Sequence, residues 1–356
     1  MDETRDAFLR RLLETPSPSG YETRGQRVWV DYVAEYADDV RTDAYGNAIA
    51  VYDGGGEDAT EVAFTGHADE LGFVVTAITD DGFLRVRPLG GVDKSVTEGT
   101  QVAVHTDDGT VNGVIGQTAI HLQDHGDGGE PAEVTEQHVD VGAADGDHAR
   151  ELVTVGDPAT LAAGVHDLAD TRLAGRGIDN RAGSWVAAEG LRRAAERDAD
   201  CRVYAVNTVQ EELGTRGASM VAFDVDPDVA IVVDVTHAAD NPTYPSSHAS
   251  EVELGAGPTV TRGGSSHAEV ARAVQAAGDA EDVDVQVEAM SVTTGTDADT
   301  FFTERAGIPT VALGIPNRYM HTPAEVVDTD DMEDAADLLA AFAVREADRE
   351  SFAVDL

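Results

Sequence analysis

The amino-acid sequence predicts an α/β fold, in which a three-layer α/β/α domain is interrupted by a smaller β-rich insertion. After about residue 164, amphipathic helices alternate with apolar strands, which is typical of a mostly parallel sheet. The run at 228–234 is apolar on both faces, as expected where helices cover a sheet on each side. Between about 72 and 163 the segments are short and alternating, which indicates a small barrel or sandwich. We therefore expect a host domain, 1–71 and 164–356, and an inserted domain, 72–163.

The region before the insertion is predicted to form two helices and three strands. The first helix carries large apolar residues on one face, and a loop rich in proline and serine ends it. A turn at Gly46-Asn47 joins the first two strands. The predicted elements are helices at 4–15 and roughly 22–37, and strands at 40–43, 48–52 and 61–65.

Turn residues divide the rest of the chain into further elements. In the insertion the predicted strands are 83–87, 101–105 and 110–115, and an acidic, glycine-rich mobile loop is expected at 123–136. After the insertion the predicted helices are 183–197, 216–223, 267–277, 299–306 and about 330–348. The strands between them are 202–210, 228–234, 283–292 and 309–315.

The composition is strongly acidic. The chain has 68 acidic and 24 basic residues, a formal charge of -44, and a single lysine, Lys94. An acidic excess with so little lysine predicts adaptation to very high salt, where self-repulsion is screened over short distances. The same charge argues against binding to nucleic acid or to an anionic membrane surface.

The sequence also bears on the compartment. No apolar run approaches the ~20 residues of a membrane helix, and the acidic start lacks the regions of a signal peptide. The single cysteine, Cys201, excludes an internal disulfide and lies in an apolar strand. A cytoplasmic location is expected.

Side chains able to bind metal ions lie near the ends of several predicted strands. Ligands of open α/β sheets bind beyond the carboxyl ends of the strands, so we expect these side chains to meet. The candidates are His67 and Asp69 after strand 61–65, Asp179 before helix 183–197, Glu211 and Glu212 ending strand 202–210, Asp234 ending strand 228–234, and His321 after strand 309–315.

Each candidate also has a plainer interpretation. His67 and Asp69 point the same way, so Asp69 can accept the second ring N–H of a metal-bound His67, but both also suit a surface turn. Asp179 at a loop-to-helix junction suits either a bridge between two metal ions or a helix N-cap. Asp234 alone is weak evidence in so acidic a chain, and a lone histidine such as His321 is more often structural.

The adjacent pair Glu211 and Glu212 is more informative. Two carboxylates at the end of an apolar strand repel each other and are poorly solvated. A metal ion neutralises one of them and leaves the other free to act as a general base. The alternative is a solvated acidic pair.

Six stretches, all in order, make the chain resemble the tetrahedral, TET-type dinuclear metallo-aminopeptidases. They are GHADELGF at 66–73, IDNRAG at 178–183, TVQEELGTRGA at 208–218, VVDVTHAAD at 232–240, TGTDA at 294–298 and NRYMHTPAEVVD at 317–328. The resemblance covers about residues 5–346. Together with the acidic composition, it suggests a halophilic, archaeal member of that family.

The resemblance implies a role for each candidate residue. The implied roles are a bridge between two metal ions for Asp179, completion of one metal site by His67 and Asp234, completion of the other by Glu212 and His321, general-base catalysis for Glu211, and orientation of His67 by Asp69. Nitrogen and carboxylate ligands suit zinc, which is expected here, and also cobalt or manganese. In related enzymes the bridging aspartate precedes a cis peptide, so Asp179–Asn180 is expected to be cis.

The resemblance also implies a fold, a substrate and an assembly. A catalytic α/β domain would be interrupted by a β-barrel-like, PDZ-like domain that mediates dimer contacts. Dimers would assemble into a hollow tetrahedral dodecamer. The implied reaction removes amino-terminal residues from short peptides.

Three other functions remain open at this point. A related dinuclear deacylase or carboxypeptidase would need a cationic group for a substrate carboxylate, for which Arg318 is the candidate. A cellulase would use paired carboxylates but has no need of His67 and His321. A non-catalytic acidic scaffold would bind many cations loosely rather than two tightly.

Overall fold

The computed structural model describes residues 1–56, 59–122, 131–248 and 250–354. Within them, the chain forms a mixed sheet of eleven strands with helices on both faces, and a separate closed barrel of six strands. The predicted α/β class is confirmed, and the insertion is a barrel rather than a sandwich. Most of the loop predicted at 123–136 lies outside the described residues, since 123–130 are not among them.

The elements are numbered along the described chain. The helices are α1 Glu3–Glu14, α2 Thr23–Val33, α3 Gly146–Leu152, α4 Ile178–Glu196, α5 Arg216–Val225, α6 Ala268–Glu281, α7 Ala298–Phe301 and α8 Thr329–Glu346. The strands are β1 Asp39–Thr42, β2 Ala48–Asp53, β3 Glu61–His67, β4 Gly72–Ile78, β5 Phe83–Leu89, β6 Gln101–Thr106, β7 Gly109–Ile115, β8 Val139–Asp140, β9 Pro158–Leu161, β10 His166–Asp167, β11 Arg172–Gly175, β12 Arg202–Thr208, β13 Val229–His237, β14 Thr259–Gly263, β15 Gln286–Met290, β16 Thr310–Arg318 and β17 Glu325–Asp328.

Four parallel strands form the centre of the large sheet, in the order β12, β3, β13 and β16. The register pairs Thr208 with His67 across β12 and β3, and Asp234 with Gly314 across β13 and β16. Because these strands are parallel, their carboxyl ends lie along one edge of the sheet. That edge carries the candidate site.

The central strands are buried on both faces. In β13, Ile231 and Val233 enter the core that contains α4 and α8, while Ala230 and Val232 enter a second core with α5 and α7. A strand covered on both sides has no face available for polar residues, which explains its continuous apolar run.

Helix α4 lies between the sheet and α8. A β-carbon on Gly190 would lie 2.8 Å from Leu339 of α8 and 3.2 Å from Phe64 of β3. With glycine at this position, neither neighbouring side chain has to shift to make room for a β-carbon. The tight packing fixes α4 against β3, and with it the turn that begins α4.

The barrel closes through antiparallel pairs in the order β4, β5, β8, β7, β6 and β9. Its interior is apolar and includes Phe73, Leu84 and Val104. Strand β4 follows directly after the end of β3, so the barrel begins at the edge of the sheet that carries the candidate site.

The barrel residue His105, in β6, provides a test of stability against pH. It is buried, and its Nε2 lies 2.9 Å from the Thr160 hydroxyl. Burial, and then the charges of Arg24 and Arg176, lower its pKa from 6.5 to about 4. The unfolded chain therefore takes up this proton at higher pH than the folded chain. The stability that this neutral histidine contributes is present above about pH 6.5 and is lost as the pH falls towards about 4.

We expect the unfolding free energy of the wild type, relative to that of a His105→Asn variant, to fall between about pH 6.5 and 4. Urea unfolding at constant salt measures the difference. The exposed residue His166 supplies the control variant, His166→Asn. The unfolding free energy of this variant should change with pH in the same way as that of the wild type. If the unfolding free energies of the wild type and His105→Asn changed with pH by the same amount, the expectation would be wrong.

Some predicted elements differ from the structure at their ends. The second helix stops at Val33 rather than at 37, the helix predicted at 299–306 is reduced to α7, and β13 continues past Asp234 to His237. Helix α3 and strands β4, β8, β9, β10, β11, β14 and β17 were not predicted, and of these strands β8 and β10 have only two residues each. Such short strands show no periodicity and form through long-range pairing.

None of the described helices combines the length and the apolar character needed to cross a bilayer.

Candidate metal centre

Two glycines bring the end of β3 against the start of α4. A β-carbon on Gly66 would lie 2.4 Å from the carbonyl carbon of Gly183, so the backbones could not approach this closely if Gly66 carried a side chain. The contact places His67, at the end of β3, beside the turn that carries Asp179. Both side chains are buried, His67 at 2% and Asp179 at 7% exposure.

Asp179 lies in an irregular turn at the start of α4. Asp179 and Asn180 have non-helical backbone angles, and the peptide bond between them is cis, as expected. Asn180 caps the helix, because its side-chain oxygen accepts a hydrogen bond from the Gly183 N–H at 2.8 Å. The interpretation of Asp179 as the N-cap is therefore wrong.

The two carboxylate oxygens of Asp179 face different histidines. Oδ1 lies 3.2 Å from Nε2 of His67, and Oδ2 lies 3.2 Å from Nε2 of His321. Asp234 Oδ1 lies 3.6 Å from the same His67 nitrogen, and Glu212 Oε1 lies 3.7 Å from that of His321. Two groups of three donors thus share Asp179, and the donor atoms within each group lie within 4.8 Å of one another.

Glu211 lies beside the first donor group without belonging to either. Its Oε2 is 3.9 Å from Nε2 of His67, and its side chain is largely buried. Its neighbour Glu212 belongs to the second group. The adjacent pair is therefore divided, with one carboxylate inside a donor group and one next to it.

Known proteins share the sequence of this chain over most of its length. Residues 46–338 match the peptidase M42 family, described as M42 glutamyl aminopeptidase. The chain belongs to the peptidase M42 family. A lysyl aminopeptidase of Pyrococcus furiosus is 34% identical over 338 residues, which are 94% of this chain and 95% of that relative. The M42 chain is thus a metal-dependent aminopeptidase.

Solved structures share its fold. A TET aminopeptidase from a marine sediment archaeon of the Thaumarchaeota superposes with a TM-score of 0.89 at 30% identity, covering 98% of each chain. The TET1 peptidase of Pyrococcus horikoshii, which can assemble into a tetrahedron or a large octahedral shell, gives a TM-score of 0.85 at 29% identity. That match covers 95% of the M42 chain and 99% of the TET1 chain.

Two outer carboxylates hold the backbone of the loop that carries Glu211 and Glu212. Glu22 accepts a hydrogen bond from the N–H of Gln210 at 3.1 Å, and Asp69 accepts those of Glu211 and Glu212 at 3.0 and 3.1 Å. Gln210 has a φ of 56°, a strained value for a residue with a side chain. Three fixed N–H groups in succession set the directions of the two glutamates.

In the M42 chain, Asp69 contacts His67 mainly through its backbone. Nδ1 of His67 lies 3.2 Å from the Asp69 carbonyl oxygen and 3.4 Å from its carboxylate. The expected carboxylate contact, to Oδ1, is therefore the longer of the two, and the other oxygen, Oδ2, accepts the Ser19 hydroxyl at 2.7 Å. A bond from Nδ1–H to either oxygen leaves Nε2 facing Asp179 and Asp234.

The donor groups of the M42 chain fit divalent cations. Ligands that share a tetrahedral zinc ion at about 2.0–2.2 Å lie roughly 3.4 Å apart. The four nitrogen–oxygen distances here are 3.2 to 3.7 Å. Among the described residues, Glu212 Oε1 is buried without a hydrogen-bond partner. Such an atom calls for an explanation, and a bound ion provides one.

The negative charge of the donor groups also favours a bound cation. Within the described chain, the ion pairs of Asp179, Glu212 and Asp234 all involve His67 or His321 and never an arginine or lysine. Buried negative charge without such a partner is costly, and a bound cation compensates for it.

Burial raises the pKa of both Glu211 and Glu212, and nearby carboxylates add to the rise, among them Asp234 for Glu211 and Asp179 for Glu212. Burial alone would also raise the pKa of Asp179, but hydrogen bonds from His321 and His67 hold it below its usual value. The bond to Asp179 raises the pKa of His321 to about 9. Cation binding is therefore expected to release protons from this cluster.

Among the residues that the structure describes, four buried acids near the site were not predicted from the sequence. They are Glu22, Glu70, Asp297 and Glu325. Glu70 accepts a hydrogen bond from Arg181 at 2.8 Å and also pairs with Arg176, so it links the first motif to the second. Asp297 accepts the Thr208 hydroxyl at 2.5 Å. Position in the sequence could have identified three of them, because Glu70, Asp297 and Glu325 lie inside the quoted motifs.

Arg318, the candidate cation for a carboxypeptidase or deacylase, is already paired. Its Nε lies 3.0 Å from Asp240 Oδ1 and its Nη2 lies 2.5 Å from Asp240 Oδ2. A guanidinium that already donates through two of its three nitrogens is less available to a substrate carboxylate. The structure therefore weakens the residue-based argument for those alternatives.

Proposed function

We propose that the protein removes amino-terminal residues from short peptides, with two divalent cations and with Glu211 as the general base. The observation that supports this most strongly is the sharing of Asp179 between two donor groups, with Glu211 beside them. A single carboxylate with one oxygen aimed at each histidine suits a bridge between two ions.

Five residues would hold the cations. One ion would be held by His67, Asp179 and Asp234, and the other by Asp179, Glu212 and His321. When bound, such ions polarise a scissile carbonyl and lower the pKa of water towards about 7. Nitrogen and carboxylate donors suit zinc, which we propose as the native ion, as well as cobalt and manganese.

Glu211 would take a proton from the attacking water onto its carboxylate and return it to the departing amine. Burial raises the pKa of Glu211 in the chain without cations, and the positive charge of two bound cations would favour its ionised, proton-accepting form. Its direction is held by the hydrogen bond from its own N–H to Asp69. Asp69 would thus position both Glu211 and His67.

The acidic surroundings of the site favour a positively charged substrate group. Glu211, Glu212 and Asp297 are carboxylates near the proposed cations, and we propose that they attract the free α-amine of a peptide. This contact would confine cleavage to the amino-terminal residue. It would also distinguish the enzyme from a deacylase, which acts on a blocked amine.

Comparing an amino-acid p-nitroanilide with its N-acetylated form tests the proposal. Loss of a charged hydrogen bond costs about 1.5–3 kcal/mol, so acetylation should lower kcat/KM by at least about 10–100-fold. A chelator should abolish the activity, and added Zn²⁺, Co²⁺ or Mn²⁺ should restore it. A preference for the acetylated substrate would favour a deacylase, and chelator-resistant cleavage of cellulose would favour a cellulase.

We also propose a domain division and an assembly. The catalytic domain would comprise 1–71 and 164–356, and the barrel within 72–163 would form dimer contacts. The named assemblies of the TET1 peptidase support a homo-oligomer, and we propose a tetrahedral dodecamer built from dimers. The halophilic, archaeal origin and the cytoplasmic location stay predictions of the sequence.

A further inference from the structure

We infer that Glu325 is a positioning residue that holds Asp179 and His321, two ligands of the proposed metal centre, through their backbone N–H groups. The inference rests on the proposed function, because it concerns the same two cations. It assigns a role to an acid that belongs to neither donor group.

The sheet register places Glu325 between the two ligands. Glu325 begins β17 and pairs with Gly175, the last residue of β11, which leads into the turn of Asp179. On its other side, β17 pairs with β16, and His321 lies in the turn that joins these two strands. The segments carrying the two ligands therefore converge at Glu325.

Each oxygen of the Glu325 carboxylate accepts a hydrogen bond from the backbone of one ligand residue. Oε2 accepts a hydrogen bond from the Asp179 N–H at 2.9 Å, and Oε1 accepts one from the His321 N–H at 3.0 Å. The residue is 2% exposed, so water does not replace these bonds readily. Only a carboxylate suits this position, because a glutamine has one acceptor oxygen and would turn an NH₂ donor towards the other N–H.

His321 depends on such support more than the other ligands do. It has a φ of 64° and a side chain that is 36% exposed, whereas the other donor side chains are less than 10% exposed. Its Nδ1 lies 3.2 Å from the carbonyl oxygen of Gly91, a contact that orients only the ring. The Glu325 bond fixes the backbone from which the ring projects, and fixes it relative to Asp179.

The chain contains a matched control for this contact. Asp331, in α8, is 1% exposed and accepts hydrogen bonds from the N–H groups of Gly255 and Gly257, both at 2.8 Å. It makes the same two-acceptor contact with the backbone but belongs to neither donor group. Removing one acceptor at each place separates a local effect on the metal centre from a general loss of stability.

In the experiment, the wild type, Glu325→Gln and Asp331→Asn are each titrated with Co²⁺. Calorimetry measures the number and affinity of the bound ions, and visible absorption reports their coordination. The wild type should bind two ions per chain. Glu325→Gln should bind the ion held by His321 about 10–100-fold more weakly, as is typical when the support of a ligand is removed. Its Co²⁺ absorption should also change. Asp331→Asn should keep the wild-type affinities and spectrum, although its melting temperature should fall.

Several outcomes would overturn the inference. Wild-type affinities and spectrum in Glu325→Gln would do so, and so would an equal loss of metal in Asp331→Asn. If Glu325→Gln does not fold, Glu325→Asp replaces it, because its shorter carboxylate keeps the charge but cannot reach both N–H groups. If neither variant folds, the carboxylate is needed for folding itself, and its specific role in positioning the two ligands is refuted. A wild type without two tight ions would refute the proposed function itself, and this inference with it.

Discussion

Replacing Glu211 with glutamine is expected to lower kcat by about 10²–10⁴-fold, the usual contribution of a general base. Glutamine keeps the size and shape of the side chain but cannot take a proton from water. Glu211 belongs to neither donor group, so two cations per chain should remain. The measurements are kcat at saturating substrate and the metal content of the same sample.

The adjacent residue provides the control. Glu212→Gln is the same substitution one position along the chain, but it removes a donor of the second group and should cost an ion. Asp69 holds the backbone N–H of both glutamates, so the loop should keep its shape in both variants. A near-normal kcat in Glu211→Gln would show that another group is the base. Loss of metal in that variant would show that Glu211 is a ligand.

Replacing Asp179 with asparagine is expected to empty both metal positions. The two oxygens of Asp179 face His67 and His321, each at 3.2 Å, whereas asparagine offers one oxygen and an amide nitrogen that does not bind metal well. The change removes a shared donor from both groups together with one negative charge. Metal analysis after dialysis and calorimetric titration measure the loss.

Asp234→Asn is the comparison for this second substitution. Asp234 belongs only to the group that contains His67, so its loss should weaken one ion and leave the other bound. The contrast distinguishes a bridge from an ordinary ligand. If Asp179→Asn kept one ion at the wild-type affinity, Asp179 would not bridge the two positions.

The predictable part of the fold was its long, periodic elements. The central strands are apolar throughout because both faces are covered, and that pattern is visible in the sequence. The longer strands β4 and β14 were missed, and the closure of the barrel and short strands such as β8, β10 and β17 were not visible. These short strands have two to four residues and depend on partners that are distant in the chain.

The donor residues were predictable for a different reason. Histidine is scarce, with eleven in 356 residues, so His67 and His321 stand out beside their motifs. Acidic residues do not stand out among 68. Glu22, Glu70, Asp297 and Glu325 were therefore missed, although each is buried close to the centre. Burial distinguishes them, and burial is a property of the folded chain.

By itself, the sequence determined the α/β class and the buried central strands, and it supplied the candidate side chains that the structure brings into two donor groups. Only the tertiary structure decided which groups these side chains face. It assigned the helix cap to Asn180, paired Arg318 with Asp240, and brought Glu325 against the N–H groups of Asp179 and His321. Hydrophobic periodicity is a local property and specifies elements. Hydrogen bonds of about 3 Å between distant residues form only where strand register and close backbone contacts bring their atoms together.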